Sequence, residues 1–390
     1  MMTPGVGHFV VTYNRSSWLY NQIVALSRYR SRVYSWARTV DDDITRSPDF
    51  VQITPNFGST PYARKASIAL AHAQERLFGG ASKSLARQMR KDSIAIIHAH
   101  FGRAGVYAMS TALETHLPLI TSFYGYDIAQ YGERPGWKRK YRKLFAQCSA
   151  VLCLGARMQQ AIVDLGCPPE KARIQHLGVD ISSIEFMSRK WDKQEPLRVL
   201  IAATFRPKKG IPLALRALGR LKRDIPLQIT IIGDAIDVPD SAPEKQRILS
   251  EIEHQGLASI TSLLGARSYP SLLESAYQHH LFLSTSVTAP DGDKEGTPMV
   301  LADMAATGIP IVSSDHSDIP ELIKDGQTGL LAAEGDIDSI VEKLTWIVEH
   351  PSRWEGMTQK GRKHIESEFD RVTQAMRLES IYDEIISAHL

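Results

Sequence analysis

Short apolar runs alternate with longer segments of helical period along almost the whole chain. The runs at 7–12, 94–98, 118–123, 150–154, 174–177, 197–203, 228–232, 260–264, 281–284, 309–313 and 329–331 read as buried strands of a parallel sheet. The stretch 32–36 (R-V-Y-S-W) alternates like a further strand. Between them the spacing predicts helices over 18–27, 105–115, 137–147, 157–165, 212–221, 244–255, 269–276 and 299–307. Three more follow over 337–349, 352–367 and 371–387. Residues 61–91 form a basic, largely helical region broken near Gly79-Gly80. Such alternation argues α/β domains with helices on both faces of a parallel sheet. The polar stretch 181–195 interrupts the rhythm before the plan repeats. The expectation is therefore two tandem Rossmann-like, doubly wound domains, 1–190 and 191–370, followed by a C-terminal helix, 371–390.

In such sheets ligands bind outside the carboxyl ends of the strands, here in a cleft between two sheet edges. Glu295, Arg206, Lys209, Gly233, Tyr124 and His100 all fall just after predicted strands. The most informative stretch is 289–323. It opens with an acidic, Gly-rich loop, D-G-D-K-E-G, and reaches a helix start at Thr297-Pro298, with Thr297 read as the cap and Pro298 as the first helical residue. The helix from Met299 stops at Gly308 and a strand follows. Amides around Gly296, Thr297 and Met299 at a helix N-terminus suit an anion. Glu295 precedes this helix and Asp303 lies within it. Asp303 sits in the apolar run M-V-L-A-D-M-A-A, where a bare charge is costly without partners, and sugar hydroxyls would serve.

Charge changes the picture. The net charge of +3 conceals +11 over residues 1–195 and −8 over 196–390, which points to different partners for the two halves. Six basic residues, Arg134, Lys138, Arg139, Lys140, Arg142 and Lys143, crowd the segment R-P-G-W-K-R-K-Y-R-K with Trp137 and Tyr141 between them. A solvated helix face competes here with docking to anionic lipid headgroups; no nucleic-acid-binding module is recognisable. Three cysteines, Cys148, Cys153 and Cys167, lack metal-ligand spacing and read as core thiols of a reducing cytosol. No apolar run is long enough to span a bilayer and no signal peptide is read, so a cytoplasmic location is expected, peripheral at the membrane's inner face if the basic segment docks there.

Neither a G-x-G-x-x-G following a strand nor a Walker A pattern is present, which disfavours hydride transfer and P-loop chemistry. Instead the strand at 197–203 runs into R-P-K-K-G, so that Arg206, Lys208 and Lys209 cluster at its carboxyl end. Fixed cations beside a helix N-terminus stabilise a phosphate leaving group. His98 and His100 share a strand face, but no further metal ligands gather near them in sequence; His98 reads as a core residue and His100 as lining the acceptor side.

These motifs resemble the retaining GT-B glycosyltransferases of glycosyltransferase family 4, in the branch acting in bacterial exopolysaccharide assembly. The stretch 289–323 followed by D-G-Q-T-G-L-L carries the resemblance most strongly. H-A-H-F-G, T-S-F-Y-G-Y-D, L-G-C-P-P-E-K-A-R-I-Q-H-L-G-V-D and R-P-K-K-G support it. The resemblance implies that Glu295 holds the donor hexose, Lys209 the diphosphate and Asp303 the ribose. It implies that the amides after Gly296 meet sugar and phosphates, that the last helix crosses back onto the first domain, and that no metal or cofactor is needed. It further implies a nucleoside diphosphate sugar as donor and a glycan or lipid-linked glycan as acceptor. The chain departs from the pattern at four places. Asp303 replaces a Glu, and Thr204 stands at the phosphate arginine, with Arg206 as its substitute two residues on. Tyr124 stands where the family often has His, and Tyr13-Asn14-Arg15-Ser16 where it has a Gly-Gly loop. A nucleotide-sugar epimerase and a non-catalytic partner protein of the same fold remain as rivals.

Overall fold

The computed structural model describes residues 3–10, 18–35, 50–52 and 80–389. Two compact units emerge: Met1–Gly178 with Arg371–Leu390, and Val179–Asp370. Residues 179–190 thus pack with the second unit. Val179 N donates to Phe369 O at 2.8 Å, and Arg189 Nη2 donates to Ala276 O at 3.0 Å.

The first unit holds, among the described residues, a seven-stranded parallel sheet in the order β3-β2-β1-β4-β5-β6-β7. The strands are β1 (Gly5–Val10), β2 (Arg30–Ser35), β3 (Phe50–Gln52), β4 (Ile94–His100), β5 (Leu119–Ser122), β6 (Ala150–Cys153) and β7 (Ala172–Ile174). Chain direction across the sheet reverses between β1 and β4, which pair in parallel with His8 opposite His98. The expected long helix over 61–91 is described only as Gly80–Lys91, and 61–79, like Tyr13–Ser16, lies outside the described residues. Val6, Ile96, Ile120 and Leu152 face the terminal helix Arg371–His389, which contributes Leu378 and Tyr382 to this core. Glu379 of that helix accepts the backbone N–H groups of Ser27 and Arg28 at 2.6 and 2.7 Å.

The second unit repeats the winding with β10-β9-β8-β11-β12-β13. Its strands are β8 (Leu197–Ala202), β9 (Leu227–Ile232), β10 (Thr261–Gly265), β11 (Leu281–Ser284), β12 (Ile311–Asp315) and β13 (Leu330–Ala333). Leu197, Val199, Ile201, Ile229 and Ile231 face one helical layer, and Leu200, Ile232 and Phe282 the other. Strands with apolar residues on both faces are what the runs without alternation require. The order reverses between β8 and β11, the point of a doubly wound sheet at whose carboxyl ends ligands bind.

All three cysteines are buried, and burial pushes the thiols of Cys148 and Cys167 up to about 12 and about 11. No helix among the described residues is long and apolar enough to cross a membrane.

Candidate active site

The segment after β8 and the loop after β11 meet at the switch point. Beyond β8 the chain makes a single 3-10 turn, Pro207–Lys209, that ends at Gly210 with φ 62°. A Cβ on Gly210 would stand 1.9 Å from Thr285 O, so the turn's close approach to the end of β11 needs glycine. Val287 N donates to Lys208 O at 2.8 Å and Thr285 Oγ1 to Gly210 O at 2.9 Å, which stitches the two segments together.

This stitching brings opposite charges into contact. Lys209 Nζ lies 3.0 Å from Glu295 Oε2 and Lys208 Nζ 3.6 Å from Glu295 Oε1. Lys208 Nζ also lies 3.3 Å from Asp293 Oδ2 and donates to Lys294 O at 3.2 Å. Burial alone would push the Glu295 carboxyl up. The Lys209 and Lys208 ammonium groups outweigh it and hold that carboxyl down at about 2. At Asp293 burial prevails over Lys208 and Arg206, and its carboxyl lies above the usual value. The result is a charged cluster whose cations are already oriented.

Arg206 is placed differently from the sequence-based expectation. β8 ends at Ala202, so no strand face carries Arg206 into the position of Thr204. Its guanidinium spans two carboxylates instead, with Nη2 3.0 Å from Asp293 Oδ2 and Nε 3.2 Å from Asp240 Oδ2. It ties the acidic loop to the segment after β9. Gly233 opens that segment at φ 143°, its backbone packed where a Cβ would meet Ala203 O at 1.8 Å. Phe205 N then donates to Asp234 O, and Ser241 Oγ to Phe205 O.

The helix Met299–Thr307 has the predicted bounds and ends at Gly308 with φ 81°. Its cap does not follow the prediction. Pro298 occupies the cap position, and the buried Thr297 Oγ1 caps nothing and has no hydrogen-bond partner. Gly296 and Thr297 are buried and Met299 half-buried beside them. Asp303, half-buried one turn on, stands outside the cation cluster. Its Oδ1 accepts from Tyr269 Oη at 2.8 Å. Burial without a cation pushes the Asp303 carboxyl up to about 7. Tyr269, 44% exposed, was not singled out by sequence; its place at the first position of the helix Tyr269–Gln278 was the only available signal.

The first unit carries Tyr124 and His100. His100 does not line a surface: it is fully buried with His98 and with His8, a third imidazole that β1 brings opposite β4. That corrects the expectation that no further ligand-type residues gather there. One nitrogen from each ring lies within 4.8 Å of the others, close enough for a shared cation. Five of the six ring nitrogens are engaged, and among the described residues His8 Nε2 is buried without a hydrogen-bond partner. His8 Nδ1 and His100 Nε2 share a hydrogen bond at 3.0 Å, and His100 Nδ1 bonds Tyr124 Oη at 2.7 Å. His98 bonds Tyr382 Oη at 2.6 Å and Ser122 Oγ at 2.7 Å. Burial lowers all three imidazoles, His8 to about 3, and keeps them neutral. Asp127, noted only as part of a loop, organises the turn after β5 by accepting Gly102 N at 2.8 Å and Tyr124 N at 3.0 Å.

The basic helix Pro135–Gln147 exposes Arg139, Lys140, Arg142 and Lys143, with Arg134 exposed just before it. Lys140 Nζ stacks 4.5 Å from the Trp137 ring. Tyr141 does not join that face: it is fully buried, packs edge-on against Phe123 and donates to Asp127 O at 2.9 Å.

Known proteins resemble this chain over most of its length. A family model described as Glycosyltransferase Family 4 matches residues 18–183, and one described as Glycosyl transferases group 1 matches 183–364. The amylovoran biosynthesis glycosyltransferase AmsK of Erwinia amylovora is 30% identical over 74% of this chain and 70% of its own. A putative colanic acid biosynthesis glycosyltransferase, WcaL of Salmonella typhimurium, is 28% identical over 74% and 70%. Among solved structures, Anabaena HepE in complex with UDP and glucose superimposes with a TM-score of 0.77 at 16% identity, covering 97% of this chain and all of that one.

Proposed function

The chain belongs to glycosyltransferase family 4, in its exopolysaccharide type, with the GT-B fold, and we propose that it moves a hexose from a nucleoside diphosphate sugar to a glycan or lipid-linked glycan with retention of anomeric configuration. The observation that carries this reading is the Lys209–Glu295 contact at the β8–β11 switch point. Breaking the anomeric C–O bond builds positive charge on the sugar and negative charge on the departing diphosphate. Lys209 and the N-terminus of the helix at Met299 meet that negative charge, and the Glu295 carboxylate accepts from hexose hydroxyls. Asp303 accepts from the ribose. Amides and cations of the chain itself suffice for the leaving group, so a metal-independent transfer is proposed. A complex of HepE with UDP and glucose supports a nucleoside diphosphate donor for this fold.

A screen of UDP- and GDP-hexoses by ligand-induced thermal shift identifies the donor. NMR of the product formed from that donor then tests the stereochemistry. Retention of the donor's anomeric configuration is expected; an inverted product overturns the mechanism. Conversion of the donor without an acceptor would indicate an epimerase.

The exposed cations of Pro135–Gln147, with Trp137 beneath Lys140, support a second element of the proposal: peripheral docking on an anionic membrane that presents the acceptor. Sedimentation with phosphatidylglycerol vesicles at low salt should capture the protein, and charge reversal at Arg139 and Lys143 should release it. Equal recovery of both forms in the supernatant refutes this element.

A further inference from the structure

The loop 289–295 is held at both ends by one pair of side chains that lies outside it. Thr288 N, just before the loop, donates to Glu334 Oε1 at 2.6 Å. Glu295 N, at its end, donates to His316 Nε2 at 3.2 Å. Glu334 Oε2 and His316 Nδ1 are 2.9 Å apart. The circuit Thr288, Glu334, His316, Glu295 therefore closes across the mouth of the loop. Its two side chains come from neighbouring strand ends, His316 after β12 and Glu334 after β13. Within the circuit the loop bonds to itself, Ala289 N to Asp293 O at 2.9 Å and Gly292 N to Ala289 O at 2.8 Å.

The ring's tautomer follows from these partners. Nε2 accepts an amide proton, so a neutral His316 carries its own proton on Nδ1, facing Glu334. That contact is close but not aligned as a hydrogen bond, so electrostatic attraction orients the ring. His316 is 1% exposed in its side chain and Glu334 35%. The turn that delivers the ring is tight enough to hold Ser317 at φ 47°, a conformation seldom adopted by a residue with a side chain.

We propose that His316 and Glu334 are positioning residues for the sugar half of the donor. They fix the backbone of Glu295, and through it the place of a carboxylate otherwise held only by the flexible stems of Lys209 and Lys208. The inference rests on the reading above, in which Glu295 holds the hexose. Loss of the clamp leaves the charge pairs intact and moves the carboxylate. Affinity for the hexose therefore falls, whereas the nucleoside diphosphate, bound by other groups, is held as before.

The test compares His316→Ala, His316→Gln and Glu334→Ala. In His316→Ala, kcat/KM for the UDP- or GDP-hexose should fall about 10- to 100-fold, mostly through KM, as expected for a displacement near 1 Å. The Kd of UDP or GDP alone, by calorimetry, should change less than about 2-fold. His316→Gln, whose side-chain oxygen can accept the Glu295 amide, should recover most of the loss, and Glu334→Ala should fall between. Hydrogen exchange at the Glu295 amide should quicken in His316→Ala and return in His316→Gln. This last readout needs no donor, so it reports on the clamp even if the wild-type chain transfers from no nucleotide sugar, an outcome that would instead defeat the functional reading. The proposal is overturned by unchanged kcat/KM in folded His316→Ala, by equal losses of nucleotide and sugar-donor affinity, or by unaltered Glu295 exchange. If His316→Ala does not fold, Glu334→Ala, at a partly exposed position, decides on the same readouts.

Discussion

At the carboxyl edge of β8 and β11, Arg206, Lys208 and Lys209 stand in contact with Asp293 and Glu295, and all five side chains are largely shielded from water. At the corresponding edge of β1 and β4 in the other unit, His8, His98 and His100 are fully buried and neutral. Two sheets of like winding thus treat the cost of desolvation in opposite ways. In the second unit Glu295 keeps its charge because Lys209 and Lys208 lie 3.0 and 3.6 Å away. In the first unit five of the six ring nitrogens bond one another or tyrosine and serine hydroxyls as neutral donors and acceptors, and among the described residues His8 Nε2 is buried without a partner. A charged edge can respond to charge that develops during a reaction, whereas a neutral hydrogen-bonded edge specifies a rigid wall.

The sharpest way to break this contrast is to neutralise the charged edge without changing its volume. Lys209→Met and Glu295→Gln should each lower kcat/KM by about 100- to 1,000-fold, the range seen when one preorganised electrostatic group is lost. Circular dichroism should remain that of the wild type. Turnover near the wild-type rate in both variants would remove the catalytic assignment and leave the cluster as a purely structural lattice.

The neutral edge should answer to stability. His98→Ala removes an imidazole that bridges Tyr382 of the terminal helix and Ser122 of β5, taking that partner from both buried hydroxyls. Urea denaturation should show a loss of about 2–4 kcal/mol for a buried cavity beside polar groups that lose a partner. The pH dependence follows from the lowered imidazoles. A base whose folded value is depressed contributes stability fully above its ordinary value of 6.5 and loses it as pH falls toward the folded value, about 3 for His8. Acid lability that begins below about pH 6.5 and is reduced in His8→Phe is expected. A wild-type profile that is flat from pH 7 to 4 would mean that the imidazoles are not held neutral.

Much of this was legible in the sequence because it is local. The helix Met299–Thr307 ends at Gly308 as its sequence requires, and R-P-K-K-G and D-G-D-K-E-G both fall at strand ends where a doubly wound sheet uses them. What escaped depends on strand order. His8 joins His98 only because β1 and β4 are neighbours across the reversal, 90 residues apart in sequence. His316 and Glu334 meet Glu295 and Thr288 because β12 lies beside β11 and β13 beside β12. Arg206 failed as a strand-face substitute because β8 stops four residues before it, a boundary that apolar periodicity does not fix within the run A-A-T-F-R. Tyr141 had the period of an exposed aromatic among cations, yet Phe123 and Phe145 draw its ring inward.

Asp303 is the test that falls between the two edges, because it is a half-buried carboxylate given only a tyrosine hydroxyl, as the imidazoles are given neutral partners. Burial raises it to about 7 from its ordinary 3.8. For an acid whose folded value is raised, the protonated folded form is favoured; the associated stability is full below 3.8 and is lost as pH rises through about 7. Asp303→Asn keeps an acceptor for Tyr269 and has no proton to lose. Its melting temperature relative to the wild type should therefore rise between pH 5 and pH 8, by about 2 °C for a partly exposed group worth roughly 1 kcal/mol. Nucleotide binding should show the reverse. A carboxylate accepts more strongly from ribose hydroxyls than a carboxylic acid does, so wild-type affinity for UDP or GDP should climb as pH passes about 7. In Asp303→Asn it should stay level. A parallel climb in both proteins would take the ribose away from Asp303 and leave its pair with Tyr269 as a contact between two helices.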